Sequence, residues 1–260
     1  MLQTTTQAYP KYLQTAAELN NQIKRQSYSL MHIQPGQNVL DVGCGPGIDT
    51  VALAHLVGPQ GSVVGVDFDK SMIAEADRYA EQSGVNVWVS HKQVNSDALP
   101  FEPDTFDSCR SERLFQHLET PDQTLAEMAR VTKTGGWVID IDPDWGTLSI
   151  ATAEVDIERR LVRFKTEHSL KNGYIGRQLY RLFKQQNFVD IQVETLPLHT
   201  TDYAVARYIG HLDKVEQGAI TADVITSQEL RRWHKNLEDA EKQGVFFASL
   251  NLVMIVGRQP

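Results

Sequence analysis

VLDVGCGPG, residues 39–47, decides how this chain folds. Val39 to Val42 has strand character, with Asp41 set among apolar neighbours, and it runs straight into glycines at 43, 45 and 47. The following IDTVALAHL has the apolar spacing of a helix. A strand, glycine loop and helix in succession let a ligand approach backbone amides that any side chain would block. A second apolar run, Val63 to Val66, ends in Asp67. An acid at the tip of the second strand, roughly 20 or more residues beyond the loop, is placed to accept hydrogen bonds from ribose hydroxyls. The pattern therefore predicts a nucleoside-containing cofactor.

Dinucleotide sites carry G-x-G-x-x-G, with a pyrophosphate at the helix N-terminus. Here the glycines are spaced G-x-G-x-G, and Asp41 stands two positions before the first. Together with Asp67 and the downstream segments NSDALPFEPDTFD (95–107) and SERLFQHL (111–118), this resembles the motifs of the class I S-adenosyl-L-methionine (AdoMet) methyltransferases. Lys133 to Gly136 before strand five, PDWGTL (143–148), NGYIGR (172–177) and the closing FFASLNLVMIVGR (246–258) extend the resemblance. It points to stand-alone enzymes related to the ubiquinone/menaquinone methyltransferase-like superfamily.

The resemblance implies an α/β fold with a Rossmann-like seven-stranded sheet, order 3-2-1-4-5-7-6 and the last strand antiparallel. It implies AdoMet as cofactor and transfer of its methyl group to a small-molecule acceptor. The implied cofactor residues are Asp41, Gly43, Cys44, Gly45 and Gly47 in the loop and Asp67, Phe68 and Met72 after strand two. Asp97 and Ala98 would meet the adenine after strand three, and Ser111 the methionine part at the end of strand four. Two other readings stay open: an NAD-dependent oxidoreductase, and a catalytically silent AdoMet-binding regulatory protein.

Strands alternating with helices imply a parallel sheet covered on both faces. Residues 1–34 carry a loose helical pattern and are expected to form an N-terminal helical cap, ending at Pro35-Gly36. The core is expected over 35–202 and 244–260. Strands are expected at 39–42, 62–67, 85–89, 106–110, 137–141, 189–195 and 245–257. Ser71 is expected to cap the helix that runs to about Gln82. Residues 152–186 have a helical pattern broken at Asn172-Gly173, and the amphipathic stretch 203–243 reads as a helical lid insertion. Cap and lid are both expected over the carboxyl ends of the strands.

The acceptor side is less determined. His117 is the candidate general base, since methyl acceptors often lose a proton near neutral pH; the competing reading has it packed beneath its loop. Arg113, Asp142, Trp145, Tyr174 and Arg177 are the expected substrate wall. Asp142 and Asp144 beside Trp145 would suit a cationic or amine substrate, or form an ordinary acidic turn. SERL stands where base or glutamine N-methyltransferases carry an Asn-Pro-Pro-Tyr type motif.

Composition narrows the class. A net charge of −8 without a Lys/Arg run argues against a nucleic-acid footprint, which needs many phosphate-neutralising cations. Two cysteines, Cys44 and Cys109, make neither a disulfide framework nor a zinc spacing, and no metal site is expected. The opening MLQTTTQAYPKY lacks the apolar centre of a secretion signal, and no apolar run reaches ~18 residues. A cytoplasmic protein without membrane contact is expected; nothing in the sequence sets an oligomeric state.

Overall fold

A computed structural model describes residues 22–260; the expected cap over residues 1–21 lies outside the described residues. Helix α1 occupies 22–30. The glycine-loop unit follows as β1 (Asn38–Val42) and α2 (Ile48–Val57), then β2 (Ser62–Asp67), α3 (Lys70–Gln82) and β3 (Val89–Gln93). After β4 (Phe106–Glu112) come a 3-10 turn (Phe115–His117), α4 (Pro121–Val131) and the long β5 (Thr132–Ile150). Helix α5 (Val155–Phe164) widens into a π-helical turn (Lys165–Ser169) before α6 (Ile175–Gln185) and β6 (Val189–Thr200). Helices α7 (Tyr203–Gly210), α8 (Leu212–Thr221) and α9 (Ser227–Lys242) precede the closing β7 (Ala248–Arg258).

The strands form one sheet in the order β3-β2-β1-β4-β5-β7-β6. The β1–β5 pairings are parallel, and β7 runs antiparallel to both β5 and β6. Central strands covered on both faces must be apolar along their length, and four of the five residues of β1 are buried. One face packs Val51, Leu53, Ala54 and Val57 of α2 and Ile23 of α1 against Val39, Ile139 and Met254. The other packs Leu125 and Met128 of α4 and Leu179 and Phe183 of α6 against Leu40, Val138 and Ile255.

A third apolar cluster stands at the carboxyl edge. β5 continues past Ile141, where its β4 pairing ends, and β7 enters from the same end because it is antiparallel. Trp145, Leu148 and Ile150 of this extension pack with Leu161 of α5, Leu212 and Val215 of α8 and Trp233 and Leu237 of α9. The helices of 203–242 are thus seated at the carboxyl end of the sheet. The described part of α1 lies on the sheet face instead, with only Lys24 and Tyr28 reaching groups at the carboxyl ends of the strands.

Several elements differ from expectation. β3 begins at Val89 and not Val85, because residues 86–88 form a turn that docks the Trp88 indole N–H on the Ala54 carbonyl at 3.0 Å. The cap of α3 is Asp69, not Ser71. The Asp69 carboxylate accepts both the Ser71 amide (2.7 Å) and hydroxyl (2.6 Å). β4, β5 and β6 all run longer than their apolar runs, since pairing with a neighbour extends a strand where hydrophobicity does not.

Candidate active site

The loop between β1 and α2 is tied to the tip of β2. The amides of Gly43 and Cys44 both donate to the Val66 carbonyl, at 2.8 and 3.0 Å. The glycines then serve different ends. Gly47 (φ +82°) packs so closely that an added Cβ would lie 2.8 Å from Ala76 Cβ. At Gly45 (φ +51°) an added Cβ would meet nothing within 4 Å, so that side of the loop is open. Asp67 faces this opening: Oδ2 accepts the Gly45 amide at 3.0 Å and Oδ1 the Asp69 amide at 2.9 Å. A carboxylate has lone pairs to spare beyond those two bonds. Phe68, 74% exposed, stands beside it, with Met72 half-buried in the first turn of α3. Asp97 is half-buried and Ala98 exposed in the loop after β3.

Three of the sequence-assigned cofactor side chains point elsewhere. Cys44 is buried against Gly65, whose added Cβ would lie 2.8 Å from its Sγ, and burial pushes its thiol pKa up. Ser111 is wholly buried and donates to Asp140 Oδ1 at 2.6 Å. Asp41 is also buried, and belongs to a charge cluster under the loop. There Arg110, fully enclosed in the middle of β4, meets Asp49 (2.9 Å), Glu112 (2.8 Å) and Asp41 (3.6 Å). Lys24 bridges Asp49 (2.5 Å) and Glu112 (3.3 Å), and the Tyr28 hydroxyl bonds Asp49. Asp41 Oδ2 has no hydrogen-bond partner among the described residues. Burial pushes the Asp41 pKa up to about 7, while the neighbouring Arg110 and Lys24 hold Asp49 well below the usual carboxylate range. Sequence reasoning misses Lys24, Tyr28, Asp49 and Arg110. The available signal is an arginine inside an otherwise apolar strand.

The expected substrate wall does not converge on one pocket. Asp142 accepts the amides of Phe115 (2.9 Å) and Gln116 (3.2 Å) and so fastens the turn after β4 to β5. Asp144 is held by Arg177 through two bonds of 2.7 and 2.9 Å, and Arg177 also lies 4.9 Å from the centre of the Tyr174 ring. Asp144, Arg177 and Tyr180 line a cavity of about 260 Å³ between α6 and the β6–β7 edge, which the strand order separates from the glycine loop by two strands. Trp145 is buried, its indole N–H donating to Gln116 Oε1 at 2.8 Å. Its ring face is already covered: Lys165 Nζ lies 3.8 Å from the ring centre. The reading of Asp142, Asp144 and Trp145 as a cation receptor is therefore corrected, because every one of these groups is satisfied within the protein.

Arg113 extends into solvent, with Glu112 at 3.5 Å. His117 ends the 3-10 turn and is exposed, not packed beneath its loop. Its turn begins at Leu114, which abuts Gly43: an added Cβ there would lie 3.0 Å from Leu114 Cδ1. Partial desolvation and the positive charges of His211 and Lys165 lower the His117 pKa. No hydrogen bond joins its imidazole to a described residue, so nothing orients it as a proton acceptor.

A family model described as a methyltransferase domain matches residues 33–187, more than half of the chain. The chain belongs to the methyltransferase domain family. This methyltransferase-domain chain is 33% identical over 225 residues to an uncharacterized 37.1 kDa protein of a Streptomyces fradiae transposon, covering 86% of this chain and 63% of that one. It is 30% identical over 183 residues to the demethylmenaquinone methyltransferase of Bacillus cereus, covering 67% and 69%. The match thus spans just under two thirds of the transposon protein. The fold is shared with the geranyl diphosphate C-methyltransferase of Streptomyces coelicolor, at TM-score 0.61 and 15% identity over 94% of this chain and 80% of that one. Among the described residues, no cluster of His, Cys, Asp and Glu could hold a metal ion, and no helix is long and apolar enough to cross a membrane.

Proposed function

We propose that the chain transfers the methyl group of AdoMet to a small-molecule acceptor. The observation that carries the reading is the opening at Gly45 faced by the Asp67 carboxylate, in a chain of the methyltransferase domain family. The residues present fit the cofactor. Gly43 and Gly45 present backbone to its methionine part, Asp67 accepts from the ribose hydroxyls, and the exposed Phe68 with Met72 covers one face of the adenine. Asp97 and the Ala98 amide meet the adenine edge. Asp41 acts from below, through the charge cluster that sets the loop. Ser111 and Cys44 support the loop from the sheet side, without touching the cofactor through their side chains.

A dinucleotide fits less well. Its pyrophosphate loop is G-x-G-x-x-G before the helix N-terminus, and the loop here is G-x-G-x-G. The helices of 203–243 act as a lid whose enclosure excludes water from the reacting atoms. When bound, AdoMet supplies a methyl group already activated by its sulfonium, so the chain's task is to align the acceptor and keep water out. Arg113, exposed beside Glu112, is the one residue of the sequence-assigned substrate wall kept on the acceptor side. His117 contributes to holding the acceptor and not to removing its proton.

Calorimetry with S-adenosylhomocysteine tests the cofactor assignment. Wild-type protein is expected to bind, and Asp67→Ala to bind more weakly by roughly 1.5–3 kcal/mol, the range for hydrogen bonds to charged groups. A folded Asp67→Ala protein with unchanged affinity, or a wild type that prefers NAD, overturns the reading. Turnover of labelled AdoMet against a metabolite panel separates an enzyme from a silent AdoMet-binding regulator.

A further inference from the structure

Three elements meet over Trp145 at the carboxyl edge, and each brings a base. The turn after β4 carries His117, the end of α5 carries Lys165, and the α7–α8 junction carries His211. Lys165 is 3% exposed, with its ammonium over the indole face and one hydrogen bond of 2.9 Å to the Gly210 carbonyl. It makes no ion pair among the described residues. That bond anchors the residue preceding His211, which sits in the left-handed region at φ +48°. His117 and His211 are both exposed in front of it, and neither imidazole bonds a described residue. π-helical turns such as the one Lys165 opens recur at functional sites.

The charge around this group is one-sided. His117 feels the positive charges of His211 and Lys165; His211 feels those of Lys165 and Lys214. Burial alone pushes Lys165 down to about 8. Carboxylates close by in the chain or the fold are engaged elsewhere: Asp213 pairs with Arg207, and Glu167 lies by Arg163 and accepts the Tyr174 hydroxyl. Glu158 accepts the Ile150 amide at 3.0 Å and pairs with Arg159, and Glu216 is held by Arg207, Trp233 and His234. A chain of net charge −8 thus gathers three bases, uncompensated, beside the loop that abuts Gly43. Leaving such a group without a counter-charge costs free energy that an incoming anion returns.

We propose that His117 and His211, backed by the buried Lys165, receive an anionic oxygen group of the methyl acceptor. The acceptor is then an acidic small molecule, carrying a carboxylate or an ionised phenol, and not an amine. His117 and His211 contact the anion. Lys165 is a positioning residue, fixing the α7–α8 junction through Gly210 and supplying charge from behind. The inference rests on the methyltransferase reading above and names the substrate class for that site.

The test uses the full chain saturated with S-adenosylhomocysteine and follows the imidazole C2–H resonances of His117 and His211 by NMR, assigned with His117→Gln and His211→Gln. The probes are acetate, 4-hydroxybenzoate, its methyl ester and choline. At pH 7 one or both acids are expected to move both resonances toward the protonated position, while the ester and choline leave them in place. Lys165→Met, close in shape but uncharged, is expected to weaken that response by at least ~10-fold while leaving S-adenosylhomocysteine affinity unchanged. Movement of neither resonance by either acid at millimolar concentration overturns the proposal, as does an equal response to the ester or choline, or an unaltered one in Lys165→Met. Loss of S-adenosylhomocysteine binding by the wild type instead defeats the methyltransferase reading, so the two failures are distinct. Should Lys165→Met not fold, the comparison among the four probes on the wild type decides alone.

Discussion

Arg110 Nη1 lies 2.9 Å from Asp49 Oδ1, joining the middle of the sheet to the first turn of α2 through a guanidinium that no solvent reaches. The pair sits directly under the glycine loop, so the loop's position depends on an electrostatic contact between two elements more than 50 residues apart in the chain. Removing one member of a buried pair costs more than the pair is worth, because the survivors stay buried without a partner. Arg110→Leu strands Asp41, Asp49 and Glu112 together. Urea denaturation is expected to show a loss of about 3–5 kcal/mol, with Lys24 insufficient to hold three carboxylates. A loss below that of an ordinary surface substitution would mean the cluster is not the support of the loop.

Two positive-φ glycines of the loop separate folding from binding. Gly47→Ala places a methyl group 2.8 Å from Ala76 Cβ, so α2 and α3 must part. Its cost combines a left-handed residue of about 1–2 kcal/mol with overpacking of about 1–3 kcal/mol. Gly45→Ala meets only the left-handed cost, since nothing lies within 4 Å. Its methyl group nevertheless occupies the opening, and S-adenosylhomocysteine affinity is expected to fall by at least ~10-fold. Calorimetry beside thermal unfolding of both variants checks the split: equal effects on stability and binding in both would contradict it.

Lys165 makes stability depend on pH with a definite sign. Its folded pKa, about 8, is lower than the ordinary 10.5. Between those values the unfolded chain binds more protons than the folded one, so this group's penalty is fully present below about pH 8 and is relieved as the pH rises toward 10.5. Lys165→Met removes the penalty at every pH. Each tenfold loss of proton affinity corresponds to ~1.4 kcal/mol, so the penalty removed at pH 7 is about 3 kcal/mol, offset in part by the lost hydrogen bond to Gly210. The advantage shrinks toward pH 10. Denaturant titrations at pH 7, 9 and 10 test the trend, and a constant difference would refute it.

His117 distinguishes holding from proton transfer. A general base is within hydrogen-bond reach of a proton and contributes about 10²–10⁴-fold to the rate. An exposed imidazole with no orienting partner, its pKa lowered by partial desolvation and by the charges of His211 and Lys165, lacks the fixed geometry a base needs. His117→Ala is expected to raise the acceptor KM while kcat falls by less than ~10-fold. A kcat loss in the larger range, in a folded variant that binds AdoMet, would make His117 the base.

The sheet and the cofactor loop are legible in the amino-acid order because their signals are local. Alternating apolar runs, glycines at 43, 45 and 47 and acids at two strand tips constrain backbone conformation within a few residues of themselves. The resemblance these carry supplies the strand order and the antiparallel β7. Differences at this level are of extent: β3 starts late because Trp88 docks on Ala54, and α3 takes Asp69 as its cap because a carboxylate can accept both the amide and the hydroxyl of Ser71. Partner choice is not legible. Asp142, Asp144 and Trp145 sit together in sequence and suggest a cation receptor, yet their bonds run to Gln116, Arg177 and Lys165, which neighbour them only after folding. The same holds for Ser111 with Asp140, and for Arg110 with Asp41 and Asp49. Sequence pattern specifies which side chains are charged and which face they share; the energy of a buried charge depends on what lies within a few ångströms, and long-range packing alone sets that distance. The sequence by itself thus determined the sheet, the glycine loop and the acid at the tip of β2. The tertiary structure decided which charges are spent inside the protein and which, as at Lys165, stand without a counter-charge among the described residues.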